Sequence, residues 1–113
     1  MVTERDNWIQ MTEGIQRRTL VSGPQMMQMA AKLDKGSQLA EHEHPHEQIT
    51  YVVQGKLHFF LAGERHELST GDSLLIPGNV PHGVSVVEDT FVIDTFSPPR
   101  EDLLEQDRAH AES

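Results

Sequence analysis

No cysteine occurs among the 113 residues. Disulfides and thiolate metal sites are therefore excluded, and a reducing compartment is permitted. Aromatic residues are scarce, with one tryptophan (Trp8), one tyrosine and four phenylalanines, so the expected core is small but adequate. Positive charge is in deficit: nine Lys and Arg against 18 Asp and Glu give a net charge of −9 with histidines neutral. That balance argues against nucleic acid or an anionic membrane surface as a partner, because both need a basic face. No apolar run approaches the length that spans a bilayer. The opening Met1-Val2-Thr3-Glu4-Arg5-Asp6 lacks the apolar stretch of a secretion signal. The expectation is a single cytoplasmic domain.

What the chain does contain is turn chemistry at short intervals. Eight strand-like runs, beginning at 15, 25, 49, 56, 65, 73, 83 and 90, end at Gly, Pro, Asn or Asp signals such as Ser22-Gly23-Pro24 and Pro77-Gly78-Asn79. Short runs punctuated in this way predict an all-β sandwich or barrel. No apolar spacing of three and four marks a helix between 15 and 97. The organisation reads as a polar lead-in over 1–14, a barrel over 15–99 and a charged tail over 100–113. Leu103 and Leu104 are the only large apolar residues of that tail, which is expected to be a short helix or a frayed end. About eight antiparallel strands make a small barrel filled by side chains or holding one small ligand.

The stretch "EHEHPHEQ" (41–48) carries three histidines and three glutamates. On an extended strand His42 and His44 project to one face and Glu41 and Glu43 to the other. Gln48 opens the next apolar strand and can reach the same point, and His82, after "IPGNVP", is the candidate for a further nitrogen. His46 shares the parity of His42 and His44 but follows the bend at Pro45, so it reads as a surface residue or one standing behind the ligands. Glu41, Glu43 and Glu47 read as a solvated acidic rim, and His58, His66 and His110 as ordinary surface histidines. The alternative is that the clustered histidines are merely structural.

Gly36-x5-His42-x-His44-x3-Gln48-x6-Gly55 resembles the first motif of the cupin superfamily, with Gln48 where Glu is usual. Gly71-x5-Pro77-x-Asn79-x2-His82 resembles the second, with Asn79 in place of its second Gly and Val86 where an Asn often stands. The resemblance implies a small cupin β-barrel, a double-stranded β-helix or jelly roll. It also implies one divalent transition metal held by His42, His44, Gln48 and His82. Imidazole with a neutral amide oxygen suits Ni, Zn, Fe, Mn or Co without choosing among them. A neutral Gln leaves the ion its full charge, which favours polarising a bound oxygen over stabilising a higher oxidation state.

By parity Val92, Asp94 and Phe96 share a face of the last strand, and Arg100 follows a double proline. A carboxylate in an apolar strand must be hydrogen-bonded, paired or functional, and a cap or a pair with Arg100 is the plain alternative. Met27 and Met29 alternate on an early strand and either fill the core or line a pocket. "HPHEQITYVVQG", "IPGNVPHG", "RRTLVSGPQMM" and Asp94-x-Phe96-x3-Arg100 resemble more closely the small pectin-degradation cupins of the KdgF type, which linearise 4,5-unsaturated uronates. That resemblance implies a metal-dependent isomerase- or lyase-type enzyme acting on a sugar acid. In it Asp94 is the general acid/base, Arg100 holds the carboxylate and Phe96 packs against the sugar. The competing readings are a metal-dependent dioxygenase or another small-molecule isomerase, and a non-catalytic sugar-binding cupin. Exposed sheet edges need covering, and a homodimer paired through edge strands is expected.

Overall fold

The computed structural model describes residues 8–112; residues 1–7 of the lead-in and 113 of the tail lie outside the described residues. Gly and Pro cut the chain into ten strands: β1 (Ile9–Thr12), β2 (Ile15–Ser22), β3 (Met27–Leu33), β4 (Gln38–His42), β5 (Glu47–Gln54), β6 (Lys56–Leu61), β7 (Glu64–Ser69), β8 (Ser73–Ile76), β9 (His82–Val86) and β10 (Thr90–Ser97). One helix follows, α1 (Glu101–Glu112). The strands pair antiparallel into a six-stranded sheet, β1-β2-β3-β10-β5-β8, and a four-stranded sheet, β4-β9-β6-β7. This is the all-β jelly-roll barrel with a helical tail that the sequence leads one to expect.

Each strand-like run of the sequence lies on a strand. The two strands with no such signal, β1 and β4, lie at sheet edges and contain no fully buried residue. Ladder hydrogen bonds hold them with little apolar burial, Leu39 of β4 alone packing on the main core, so hydropathy alone does not reveal them.

Period-two alternation builds the interior. On β10, Thr90, Val92, Asp94 and Phe96 are buried, and on β5 so are Gln48, Thr50 and Val52. β10 lies between β3 and β5, opposing Val92 to Val52, Asp94 to Thr50 and Phe96 to Gln48. At the Val92 level the main core gathers Ile15, Leu33, Val52, Leu57, Ile76 and Val86. At the Phe96 level a second cluster joins Met27, Met29 and Leu103. Along β10 the polar Asp94 level falls between these two apolar levels.

The helix is fastened over the second cluster. Leu103 is buried, and acidic Glu101 and Asp102 occupy the first turn, where the helix dipole favours negative charge. Arg17, fully buried on β2, is the anchor. Its Nη2 donates to the Leu103 carbonyl at 3.1 Å and to Gln106 Oε1 at 3.1 Å, and it pairs with Asp107 at 3.0 Å. Thr19 Oγ1 donates to the second Asp107 oxygen at 2.6 Å. Among the described residues no helix is long and apolar enough to cross a membrane.

Removing one partner of a buried charge pair leaves the other unsatisfied, at a cost of about 3 kcal/mol or more. Arg17→Ala is expected to lower the unfolding free energy by that order. Asp107→Ala, which strands the fully buried Arg17 charge, is expected to cost as much. Denaturant unfolding of both variants measures this, and equal small losses would show that the pair does not anchor the helix.

Candidate metal centre

His42 ends β4 and His82 begins β9, and the two are register partners across adjacent strands. Their ring centroids lie 4.3 Å apart. His44 lies two residues beyond the end of β4, so strand parity does not place it; a loop contact does. The His44 carbonyl accepts from the Asn79 N–H at 2.7 Å. Gly78 sits so close to the Pro45 carbonyl that a Cβ there would collide with it. Asn79 has φ of 62°, a left-handed conformation that Asn adopts at smaller cost than most side chains. The Pro77-Gly78-Asn79 turn therefore clamps the His44 loop, and the ring centroids of His44 and His82 come to 4.8 Å.

The ring nitrogens show what the cluster can bind. The Nδ1 atoms of His42, His44 and His82 face the carbonyls of Ala40, His46 and Val80 at 2.9, 3.1 and 2.8 Å. A carbonyl only accepts, so each Nδ1 carries the proton and each Nε2 keeps its lone pair in the neutral ring. One potential ligand atom from each histidine lies within 4.8 Å of the others. His82 Nε2 is buried with no hydrogen-bond partner, and His44 Nε2 faces Gln48 Oε1 at 3.1 Å. That last contact sets two lone pairs against each other unless a proton or a cation stands there. Burial, reinforced by the Arg100 guanidinium and by His82, pushes the pKa of His44 down to about 4, and burial also lowers His82. A proton is disfavoured, and neutral imidazoles with free Nε2 atoms are what a metal requires. The donor set fits a divalent cation.

Behind it runs a hydrogen-bond chain. Gln48 Nε2 donates to Thr50 Oγ1 at 2.9 Å, and Thr50 Oγ1 donates to Asp94 Oδ1 at 2.6 Å. Burial raises the pKa of Asp94 to about 6, against the lowering effects of its bonds to Thr50 and Gln48 and of the Arg100 charge. Asp94 is bonded to Thr50 and Gln48, while Arg100 pairs with Asp102, through Nε at 3.0 Å and Nη2 at 2.8 Å. The Arg100 guanidinium lies 5.1 Å above the Phe96 ring, and Phe96 meets His44 edge-on at 5.8 Å. One cavity is lined by His42, Gln48, Thr50, His82, Asp94, Phe96, Arg100 and Met29, and runs on into the apolar core. Met29 thus both packs in the core and lines the cavity, while Met27 packs in the core.

His46 is half-buried and touches the cluster through its carbonyl on His44 Nδ1. Glu41, Glu43 and Glu47 are exposed. Thr50 escapes notice in the sequence, although its parity with Gln48 on β5 was available as a signal. Phe59, stacked at 13° on His82, carries no such signal.

Comparison with known proteins agrees with this arrangement. The family described as Cupin domain matches residues 29–94. The pectin degradation protein KdgF of Dickeya dadantii is 34% identical over 105 residues, covering 91% of this chain and 96% of that one. The solved structure of KdgF from a Halomonas species superposes with a TM-score of 0.81 at 41% identity, covering 85% of this chain and 89% of that one. An RmlC-like cupin from Shewanella frigidimarina also gives 0.81, at 35% identity and 85% and 86% coverage.

Purified His82→Ala is expected to hold far less metal than the wild type, whose site accommodates about one ion per chain. Gly78→Ala, which displaces the His44 loop without touching a donor atom, should also weaken retention. Metal analysis by mass spectrometry checks both, and undiminished content in His82→Ala would remove that residue from the site.

Proposed function

The chain belongs to the cupin domain family, and we propose that it acts in pectin degradation by linearising 4,5-unsaturated uronates at the His42–His44–Gln48–His82 site. The observation that carries this reading is Asp94, a buried carboxylate with its pKa raised to about 6, lining the same cavity as His42, Gln48 and His82. Similarity to KdgF, named for pectin degradation, supports this reading.

His42, His44, Gln48 and His82 would hold a divalent metal there, which would supply Lewis-acid polarisation of a substrate oxygen, with its charge undiminished by the neutral Gln48. In a cyclic 4,5-unsaturated uronate the ring oxygen joins C1 to the alkene carbon C5. Asp94 takes the proton of the C1 hydroxyl as the bond from C1 to the ring oxygen breaks, which leaves an aldehyde and an enolate. Asp94 then returns that proton to C4, giving the 5-keto acid. One proton leaves and one is delivered, so a single carboxylate serves both halves, and a pKa near the working pH suits both roles. Arg100 keeps a guanidinium edge free of Asp102 to bind the substrate carboxylate, and Phe96 offers an apolar face to the sugar. The local cation offsets the repulsion an anion meets from a chain of net charge −9.

The proposal includes a homodimer. Ile49, Tyr51 and Val53 on β5 and Leu75 on β8 stand exposed on the outer face of the six-stranded sheet, with Ile49 opposite Leu75. Contiguous apolar surface of this kind marks association sites. Light scattering should return twice the chain mass, and a single chain mass would overturn the pairing.

The decisive measurement follows the ultraviolet absorbance of a 4,5-unsaturated uronate, which is lost with the conjugated alkene. Asp94→Asn should slow that loss about 10²- to 10⁴-fold while retaining metal. Equal decay rates for wild type and Asp94→Asn would sink this function.

A further inference from the structure

Gln48 presents a choice that the usual Glu does not. An amide has one oxygen, which can meet a cation, and one NH2, which cannot. Nothing within the side chain decides which end faces the histidines; the surrounding hydrogen bonds do. Thr50 stands at that decision point, 2% exposed on the inward face of β5, two residues after Gln48.

Donor and acceptor counting closes on one answer. The Thr50 hydroxyl has a single proton, and it lies 2.6 Å from Asp94 Oδ1, a carboxylate oxygen that accepts. With the proton committed there, Thr50 Oγ1 has only lone pairs to offer the Gln48 amide 2.9 Å away. The amide atom facing Thr50 must therefore be the NH2, and Oε1 is turned toward His44 Nε2 at 3.1 Å. With the amide reversed, two oxygens without a proton between them would meet at Thr50, and the NH2 would point at the metal position.

We propose that Thr50 is a positioning residue which, together with the hydrogen bond Asp94 takes directly from the Gln48 side chain, fixes which end of the Gln48 amide faces the three imidazoles. The inference rests on the metal-site reading above and explains how a neutral ligand works where a carboxylate is usual. A carboxylate carries oxygen at both ends and needs no orienting, so Thr50 matters because residue 48 is Gln.

The test is a double-mutant cycle read by calorimetric titration of metal-free protein with Ni2+. Thr50→Val keeps the side-chain shape and removes the hydroxyl; it should weaken Ni2+ binding about 10- to 100-fold, the range for partners that orient metal ligands. Thr50→Ala should show the same loss, and Thr50→Ser should restore binding. In a Gln48→Glu background, Thr50→Val should leave affinity nearly unchanged, whereas a merely structural Thr50 would lower it equally in both backgrounds. Wild-type affinity in Thr50→Val, or the same loss in the Gln48→Glu background, would overturn this proposal alone. A wild type that binds Ni2+ but turns over no uronate would overturn the functional reading and leave Thr50 in place.

Discussion

Three imidazoles whose Nδ1 protons are committed to main-chain carbonyls leave three Nε2 lone pairs gathered in a small space. Everything else about the site follows from that constraint. Lone pairs brought together repel, and at buried His44 and His82 a proton is a poor remedy because burial makes charging the ring costly. A divalent cation relieves all three at once. The barrel thus stores, in its hydrogen bonds to Ala40, His46 and Val80, a preference for a cation over a proton. The backbone makes that preference, since each orienting group is a carbonyl close in sequence to the ring it holds.

Two turns and one strand pair hold the cluster in register. β4 and β9 set His42 against His82, and the Pro77-Gly78-Asn79 turn pins the loop that carries His44. A close approach only Gly permits and a left-handed residue that Asn tolerates form one device, which ties the second half of the chain to the first. On the opposite sheet the β5–β10 register delivers Gln48, Thr50 and Asp94 in a line. The proton inventory of that line runs from a carboxylate able to exchange protons, through a hydroxyl, to an amide at the cation position. The Asp94 carboxylate and the Gln48 amide are consequently joined through one threonine. α1 packs Leu103 into the Phe96 cluster, Arg17 bonds the Leu103 carbonyl, and Arg100, three residues earlier, lies over Phe96.

Much of this was legible in the linear chain, for a specific reason. Strands alternate with a period of two, so knowing that Gln48 points inward places Thr50 and Val52 beside it, and Val92, Asp94 and Phe96 follow the same rule. The punctuation of Gly and Pro delimited strands with apolar faces and missed β1 and β4, which bury no side chain fully. Parity brought His42 and His44 to the same point for a reason that holds only in part, because His44 stands beyond the strand and is held by Asn79. The partner of Arg100 was not legible, and the near neighbour Asp102 takes the place open to Asp94.

The sequence by itself determined the class of fold, the inward faces of its strands and the residue types available for ligation, because these depend on local periodicity and side-chain chemistry. Only the tertiary structure decided which atoms face one another: the Nε2 rather than Nδ1 edge of each histidine, the oxygen rather than nitrogen end of Gln48, and the burial of Arg17 against Asp107, ninety residues away. Those outcomes depend on which donors and acceptors a folded barrel brings within 3 Å or so, and no spacing along the chain contains that information.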